Sequence, residues 1–310
     1  MHLARTSRNF SFNKVAAGSV ATIGAYDGLH LGHQQLLQRV LDEAQKRGLP
    51  AVVMSFEPMP QEFFSAASPP ARLMRFREKF EALADFGIDI FFCPRFDDAM
   101  KSIASDTFIR QILVHTLNVR QLVVGDDFRF AAGRQGTLEH LRRAGRALQF
   151  GIERVPSVVA AGERVSSTTI RAALEGGDLA HASRLLGRPY RMSGRIVQGA
   201  RLGRTLGFPT ANVNLMRRQS AVMGIFAVRV NGLGHKVYDA VASVGTRPTF
   251  DGTRPLLEVH LFDFDEDIYG AYIHVDFIAR LRSEVKFDDI DKLVEQMHRD
   301  SAQAREILAA

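Results

Sequence analysis

The stretch SVATIGAYDGLHLGHQQLLQRVLDEAQKRG, residues 19–48, decides the architecture of the first half of the chain. It opens as an apolar strand that runs into Gly24, Asp27 and Gly28. It continues with Leu36, Leu37, Val40, Leu41 and Ala44 on one helical face. A strand that turns through glycines into an amphipathic helix is half of a βα unit. The alternation goes on through PAVVMSF, RLMRFREKFEALADFG with Gly87 as a helix stop, IDIFFCP, TFIRQILVHTL, QLVVGDDFRF and TLEHLRRAGRALQFG. Fully apolar strands between helices predict a parallel sheet covered on both faces, a doubly wound α/β domain. Ligands are expected at the carboxyl ends of its strands.

The opening stretch also carries chemistry. Gly24 allows close backbone approach to a ligand, and Gly28 and Gly32 keep the turn bare of side chains. His30 and His33, three apart at a helix start, share a face at the positive end of the helix dipole, which suits polyphosphate. Two histidines are too few ligands for zinc, and the dipole disfavours a cation. The spacing alone leaves capping and packing open. A second helix start, VSSTTIRAAL at 165–174, offers Ser166, Ser167 and Thr168 as donors with Arg171 in the first turn. Alone it reads as an ordinary cap. Between the two, VVGDDFRFAAGRQG at 123–136 places Asp126 and Asp127 at a strand end, followed by Phe128, Phe130 and Arg134. Aromatics two apart are more often core than cofactor contacts.

Composition bounds the rest. A chain of 310 residues, with 40 basic and 34 acidic side chains and a net charge of +6, is long enough for two cores. The positive surplus is spread along the chain, which suits phosphate-bearing ligands better than nucleic acid. The single cysteine, Cys93, lies in an apolar run and excludes an intramolecular disulfide or a cysteine metal site. MHLARTSRNFSFNKV lacks the apolar core of a secretory signal, and no stretch reaches the roughly 18 apolar residues of a membrane span. The cytoplasm is therefore expected.

TIRAALEGGDLAHASRLL reads as a helix closing the first half, and Gly187-Arg188-Pro189 breaks the pattern. The expected domains are 1–186 and 187–310. Beyond the break, SGRIVQGARLGR, GIFAVRVNGLG, YDAVASVGTRP, LLEVHLFDF and AYIHVDFIARL are strands between turn signals with no helices. They predict a small antiparallel β-barrel, followed by a C-terminal helix over IDKLVEQMHRDSAQAREIL. In GRIVQGARLGRTLGFPTANVNL, Gly194, Gly199, Gly203 and Gly207 with Arg195, Arg201 and Arg204 form a cationic flap fit for phosphates. Pro209–Asn212 reads as a turn whose Thr210 and Asn212 oxygens suit magnesium. Glu258 and His260 share one strand face, opposite Leu257, Val259 and Leu261. Such a glutamate is either a general base or merely solvent-facing.

TIGAYDGLHLGHQQLL resembles the signature of the nucleotidyltransferase superfamily, whose HxGH motif also occurs in class I aminoacyl-tRNA synthetases. VSSTTIRAAL resembles its late partner motif. In order with VVGDDFRF, these segments resemble the FMN adenylyltransferase half of bacterial bifunctional riboflavin kinase/FAD synthetases. GRTLGFPTANV, ASVGTRPTF, LEVHLFDF with DIYG, and FIARLRSEVKF resemble the riboflavin kinase module. The family usually carries histidine where Met59 stands and glycine where Ala131 follows DFRF.

The resemblance implies an enzyme that phosphorylates riboflavin to FMN with ATP, then adenylylates FMN to FAD with release of pyrophosphate. His30, His33 and Arg171 would stabilise charge on ATP, with Gly24, Asp27, Gly28, Ser166, Ser167 and Thr168 binding it. Asp126, Asp127 and Phe128 would contact the flavin. In the barrel, Glu258 would be the general base, Thr210 and Asn212 would hold Mg2+, and Gly199, Arg201, Gly203 and Arg204 would close on phosphates. Arg282 and Phe287 would help enclose the flavin. Small molecules are the expected partners, with neither nucleic acid nor membrane. A different HxGH nucleotidyltransferase or tRNA-charging enzyme leaves the barrel motifs unexplained. A nucleotide- or RNA-binding regulator predicts salt-sensitive binding and no product from riboflavin.

Overall fold

The structure, a computed structural model, describes residues 1–160, 162–199, 203, 206–249 and 252–310, without the side chains of 247–249 and 252–254. Two compact units are present: residues 1–70 with 74–165, and residues 71–73 with 166–310.

The first unit contains β1 (His2–Ala4), β2 (Ser19–Ile23), α1 (Leu31–Arg47), β3 (Ala51–Met54), α2 (Pro60–Phe64), α3 (Phe76–Asp85) and β4 (Ile90–Phe92). After these come α4 (Asp98–Lys101), α5 (Ser105–Phe108) with a π-helical continuation over Ile109–Thr116, β5 (Val119–Gly125), α6 (Leu138–Leu148) and β6 (Gly151–Val155). A short hairpin of β7 (Val159–Ala160) and β8 (Glu163–Arg164) completes it. The six-stranded sheet has the order β1-β4-β3-β2-β5-β6, and every neighbouring pair is parallel. Every residue of β2, β3 and β4 is buried, the mark of a sheet covered on both faces. One core cluster includes Ala21, Ile23, Val52, Met54 and Leu122, and the other Val20, Ala51, Val53 and Val123. From β2 the sheet grows one way through β3 and the other way through β5. The switch point therefore lies at the carboxyl ends of β2 and β5, where residues 24–30 and 126–130 follow.

The second unit begins with α7 (Ser167–Gly176) and α8 (Leu179–Leu186). The single helix expected over 169–186 is two. Gly177 ends α7 at φ +82°, and the Asp178 side chain accepts from His181 N to start α8. By packing, these helices group with the barrel rather than with the sheet, and α8 lies against β9 and β14. The barrel strands are β9 (Tyr190–Val197), β10 (Ala211–Asn214), β11 (Gly224–Leu233), β12 (Lys236–Thr249), β13 (Gly252–Leu261) and β14 (Tyr272–Arg282). They close in the order β10-β13-β12-β11-β14-β9, all antiparallel. The expected Pro209–Asn212 turn is only partly a turn, because Ala211–Asn214 pairs with β9 and β13 as a strand. Helix α9 (Ile290–Ala309) covers the barrel's outer face through Ala304 and Leu308 against Ala227 and Phe262.

Candidate active sites

Strand β2 hands the chain to α1 through a tightly turned loop. Tyr26, Gly28 and Leu29 all adopt positive φ, at 49°, 86° and 45°. Two of these are not glycine, and such strain persists only where the surroundings enforce it. Those surroundings are visible. The Tyr26 hydroxyl bonds Thr22 Oγ1 at 2.6 Å, and Asp27, 1% exposed, accepts from Met74 N at 2.9 Å. Lys79, 2% exposed on α3, donates to the Ala25 carbonyl at 2.6 Å. Lys79 escaped the sequence reading, although a lysine on a buried helical face needs a polar partner and so marks one.

His30 caps α1, its Nδ1 accepting from His33 N at 3.3 Å. The capping role left open by the sequence is therefore real for His30. It also fixes the neutral tautomer, leaving Nε2–H as the remaining donor. The rings of His30 and His33 stack with centroids 3.6 Å apart, and His33 leans on Tyr26. A Cβ on Gly32 would approach the His30 ring to 3.3 Å, so a glycine there leaves the ring its place. Burial pushes His30 down to about 4, against the opposing pull of Asp27. Burial, then the charges of His30 and Lys79, push His33 well below the ordinary histidine range. Among the described residues the buried Nδ1 atom of His33 has no hydrogen-bond partner.

A stability consequence follows. In the fold His30 stays neutral, whereas the unfolded chain takes up its proton near pH 6.5, so acid favours unfolding. The stabilisation is complete above pH 6.5 and is lost as the pH falls toward 4. For His30 alone the loss is about 3 kcal/mol, at 1.36 kcal/mol per pKa unit. Denaturant titrations of the first unit between pH 7 and 4 check this, and His30→Asn, which keeps a cap, should flatten the slope.

At the end of β5, Asp126 accepts from Ser157 Oγ at 2.8 Å and Ser157 N at 3.2 Å, and these bonds hold its carboxyl below the usual range. Asp127 pairs with Arg164 of β8 at 2.6 Å. Both carboxylates thus tether residues 157–164. Phe128 stacks on Phe130 at 5.8 Å. A cleft of about 550 Å³ opens nearby, lined by Phe56, Phe64, Phe96, Phe108 and Phe130 with Lys101, Arg129, Ala131 and Arg134. Asp126, Asp127 and Phe128 are not among its lining residues; Phe130, which spacing alone did not favour, is. Ala131 stands at φ +64°, ψ −173°, a region that only glycine enters without strain. Relief of that strain outweighs the extra freedom of glycine in the unfolded chain, so Ala131→Gly should stabilise the first unit by about 1 kcal/mol. A raised urea midpoint at unchanged slope is the expected readout. Met59 is buried at the start of α2.

In the second unit, Ser166 caps α7 through Thr169 in a reciprocal pair, with Ser167 and Thr168 following it in the first turn. Arg171 Nε donates to the Ala71 carbonyl at 2.6 Å, so this guanidinium braces backbone as well as carrying charge.

The barrel site is more fully assembled. A cleft of about 410 Å³ lies between the outer face of the barrel, the 282–287 segment and α9. Gly203, Thr210, Glu258, Arg282 and Phe287, drawn from separate parts of the sequence, all line it. Glu258 is therefore not an ordinary solvent-facing strand residue. Leu257, Val259 and Leu261 turn into the core, while Glu258 pairs in register with Asn212 on one side and Ser243 on the other. Gly199 has no room for a Cβ beside the Asn212 side chain, and a Cβ on Gly203 would stand 3.3 Å from Thr210 Oγ1. Arg201 and Arg204 lie outside the described residues, and Arg195 donates to the Gly270 carbonyl. Arg282 is clamped by Asp300 at 2.7–3.1 Å, with Gln296 on the same carboxylate and Phe287 under the guanidinium at 5.9 Å. Asp300 was missed, yet it lies on the stripe Leu293, Met297, Ala304 and Leu308 of α9, where a charge announces a buried partner.

Comparison with known proteins is decisive. The FAD synthetase family model matches residues 12–169, and the riboflavin kinase model matches residues 186–308. The bifunctional riboflavin kinase/FMN adenylyltransferase of Escherichia coli (strain K12) is 47% identical over 306 residues, 99% of this chain and 97% of its own length. The chain belongs to the bifunctional riboflavin kinase/FMN adenylyltransferase family. Members from Haemophilus influenzae and Pseudomonas fluorescens are each 42% identical over 293 residues, 94% of this chain and 95% and 94% of their own. A crystal structure described as a macrolide-efflux protein from Streptococcus pneumoniae is 31% identical and covers 98% of both chains with TM-score 0.82. Among the described residues no helix is long and apolar enough to cross a membrane. The family's two modules thus stand in the order expected, nucleotidyltransferase before kinase, and the enzyme is a transferase.

Proposed function

We propose that riboflavin is phosphorylated in the barrel cleft, by residues 187–310, and that the resulting FMN is adenylylated at the carboxyl ends of the parallel sheet, by the 1–186 portion. The observation that carries the kinase assignment is the convergence of Glu258, Thr210, Gly203, Arg282 and Phe287 on one cleft. The flavin ring lies against Ile225, Val241, Leu293 and Met297. Its terminal ribityl hydroxyl faces Glu258, which accepts the proton as that oxygen attacks the γ-phosphorus of ATP and ADP leaves. Thr210 and Asn212 present hard, neutral oxygens in a cradle kept open by Gly199 and Gly203, a donor set that fits magnesium held jointly with phosphates. When bound, magnesium offsets phosphate charge. Arg282, neutralised by Asp300, walls the cleft rather than supplying free charge.

In the first unit, the aromatic cleft beside Phe130 takes the flavin ring, and its cations suit a ligand that bears a phosphate. The FMN phosphate is already anionic, so its attack on the α-phosphorus of ATP, expelling pyrophosphate, needs no strong base. His30 and His33 supply donors at the α1 terminus; Ser167, Thr168 and Arg171, at the start of α7, are a donor set of the second unit. Asp27 holds the loop through Met74. We place the enzyme in the cytoplasm with small molecules as its partners. Incubation with riboflavin, ATP and magnesium, followed by chromatography, should yield FMN and then FAD. Salt-sensitive RNA binding with neither product would replace this reading by a regulator.

A further inference from the structure

Strand β10, which carries Asn212, loses its ladder just before it reaches Thr210, the one of the two that lines the kinase cleft. β10 pairs with β13 as Val213 with Leu257, Asn212 with Glu258 and Ala211 with Val259. The same register would next set Thr210 opposite His260, but the strand pairing stops at Ala211, and Pro209 beyond it has no N–H to donate. His260 supplies the missing link from its side chain. Its Nδ1 lies 2.8 Å from the Pro209 carbonyl, and since a carbonyl only accepts, the proton is on Nδ1. The imidazole is held edge-on by Phe208 at 5.3 Å and lies against Phe262 at 5.9 Å. Leu206 N and Phe208 N both donate back to the Gly203 carbonyl, so those bonds close the segment on itself and do not tie it to the barrel. The His260 bond does tie it there, and it comes from the strand that presents Glu258 on the same face.

We propose that His260 is a positioning residue of the kinase site. By anchoring Pro209 it fixes Thr210 and Asn212 relative to Glu258, and so sets affinity for magnesium-bound nucleotide through the turn, while its own ring is part of the cleft wall. This rests on the reading of residues 209–212 as the nucleotide and magnesium site. His260→Leu keeps the apolar bulk against Phe208 and removes the donor, whereas His260→Asn keeps an N–H near the Nδ1 position.

The full-length protein is titrated calorimetrically with magnesium-bound ADP, a product of the kinase reaction, and its kinetics are followed in parallel. Thr210→Ala marks which binding event belongs to the turn. His260→Leu should weaken that event about tenfold and raise KM for ATP in riboflavin phosphorylation to match, as expected for one lost hydrogen bond. Riboflavin affinity by fluorescence quenching should change much less than nucleotide affinity, FMN adenylylation should not change, and His260→Asn should restore nucleotide affinity to within about twofold of wild type. Wild-type affinity in His260→Leu, an Asn variant no better than Leu, or adenylylation falling in step would each overturn the proposal. If Thr210→Ala leaves every binding event unchanged, it is the reading of the turn that fails.

Discussion

Glu258→Ala should lower the rate of riboflavin phosphorylation by about a thousandfold, within the range that a positioned general base supplies. FMN adenylylation by the same variant should stay at its wild-type rate. The expectation depends on where β13 puts this carboxylate. Its neighbours Leu257 and Val259 are wholly buried in the barrel, so the strand's register is set by them and survives loss of a side chain on the opposite face. The effect belongs in kcat, because the proton moves only as the hydroxyl attacks; KM for riboflavin should move much less. Glu258→Gln separates basicity from shape, since the amide keeps the size and polarity but cannot take the proton, and should be nearly as slow as Ala. A Gln variant with wild-type turnover would show that positioning alone drives the phosphoryl transfer. Parallel loss of adenylylation would deny the separation of the two sites.

The parts of this molecule that sequence makes legible are those in which local pattern and global fold agree. The βα alternation from Ser19 to Gly151 specifies a parallel sheet because burial on both faces demands uninterrupted apolar strands, and β2, β3 and β4 meet that demand at every residue. Period two alone left Glu258 either a base or solvent-facing, and Pro-Thr-Ala-Asn alone reads as a turn; only the resemblance pointed to chemistry, and the structure brings Glu258 and Thr210 onto one cleft. The rest depended on long-range partners. Nothing local says that Asp126 and Asp127 would be drawn to Ser157 and Arg164. Nor does local pattern show Arg171 reaching back to a carbonyl at residue 71, or Phe130 rather than Phe128 lining the cleft. The Pro209–Asn212 turn half dissolved into β10 because proline set the turn signal while the barrel offered Ala211 and Asn212 two strands to pair with. A strand that short has no periodicity of its own. Lys79 and Asp300 lie between these extremes: each is a charge on a buried helical face, so each was visible as an anomaly, though not with its partner.

His33→Ala should lower FMN adenylylation by about a hundred- to a thousandfold, the cost of removing one donor aimed at developing phosphate charge, and leave riboflavin phosphorylation unchanged. The alternative is that both histidines only cap and pack, and His30 does cap α1. Packing accounts poorly for His33, however. Its Nδ1 is buried and, among the described residues, unpaired, a condition that costs about 1–3 kcal/mol and that a bound anion or donor would relieve. The loop before it holds two non-glycine residues at positive φ, so the stacked pair is maintained against backbone strain rather than in its absence. Both imidazoles are neutral at rest, pushed down by burial, and what each offers a nucleotide at first is a hydrogen bond. The negative charge of a triphosphate raises their proton affinity, so lowering the pH toward 6 should tighten ATP at this site while it weakens the empty fold. His30 needs a different substitution, because alanine would remove the cap and the donor together. His30→Asn retains a good cap and loses Nε2–H, so its adenylylation rate reports the donor alone. A His33→Ala enzyme that still makes FAD from FMN at the wild-type rate, with its fold intact, would reduce the pair to packing and cap.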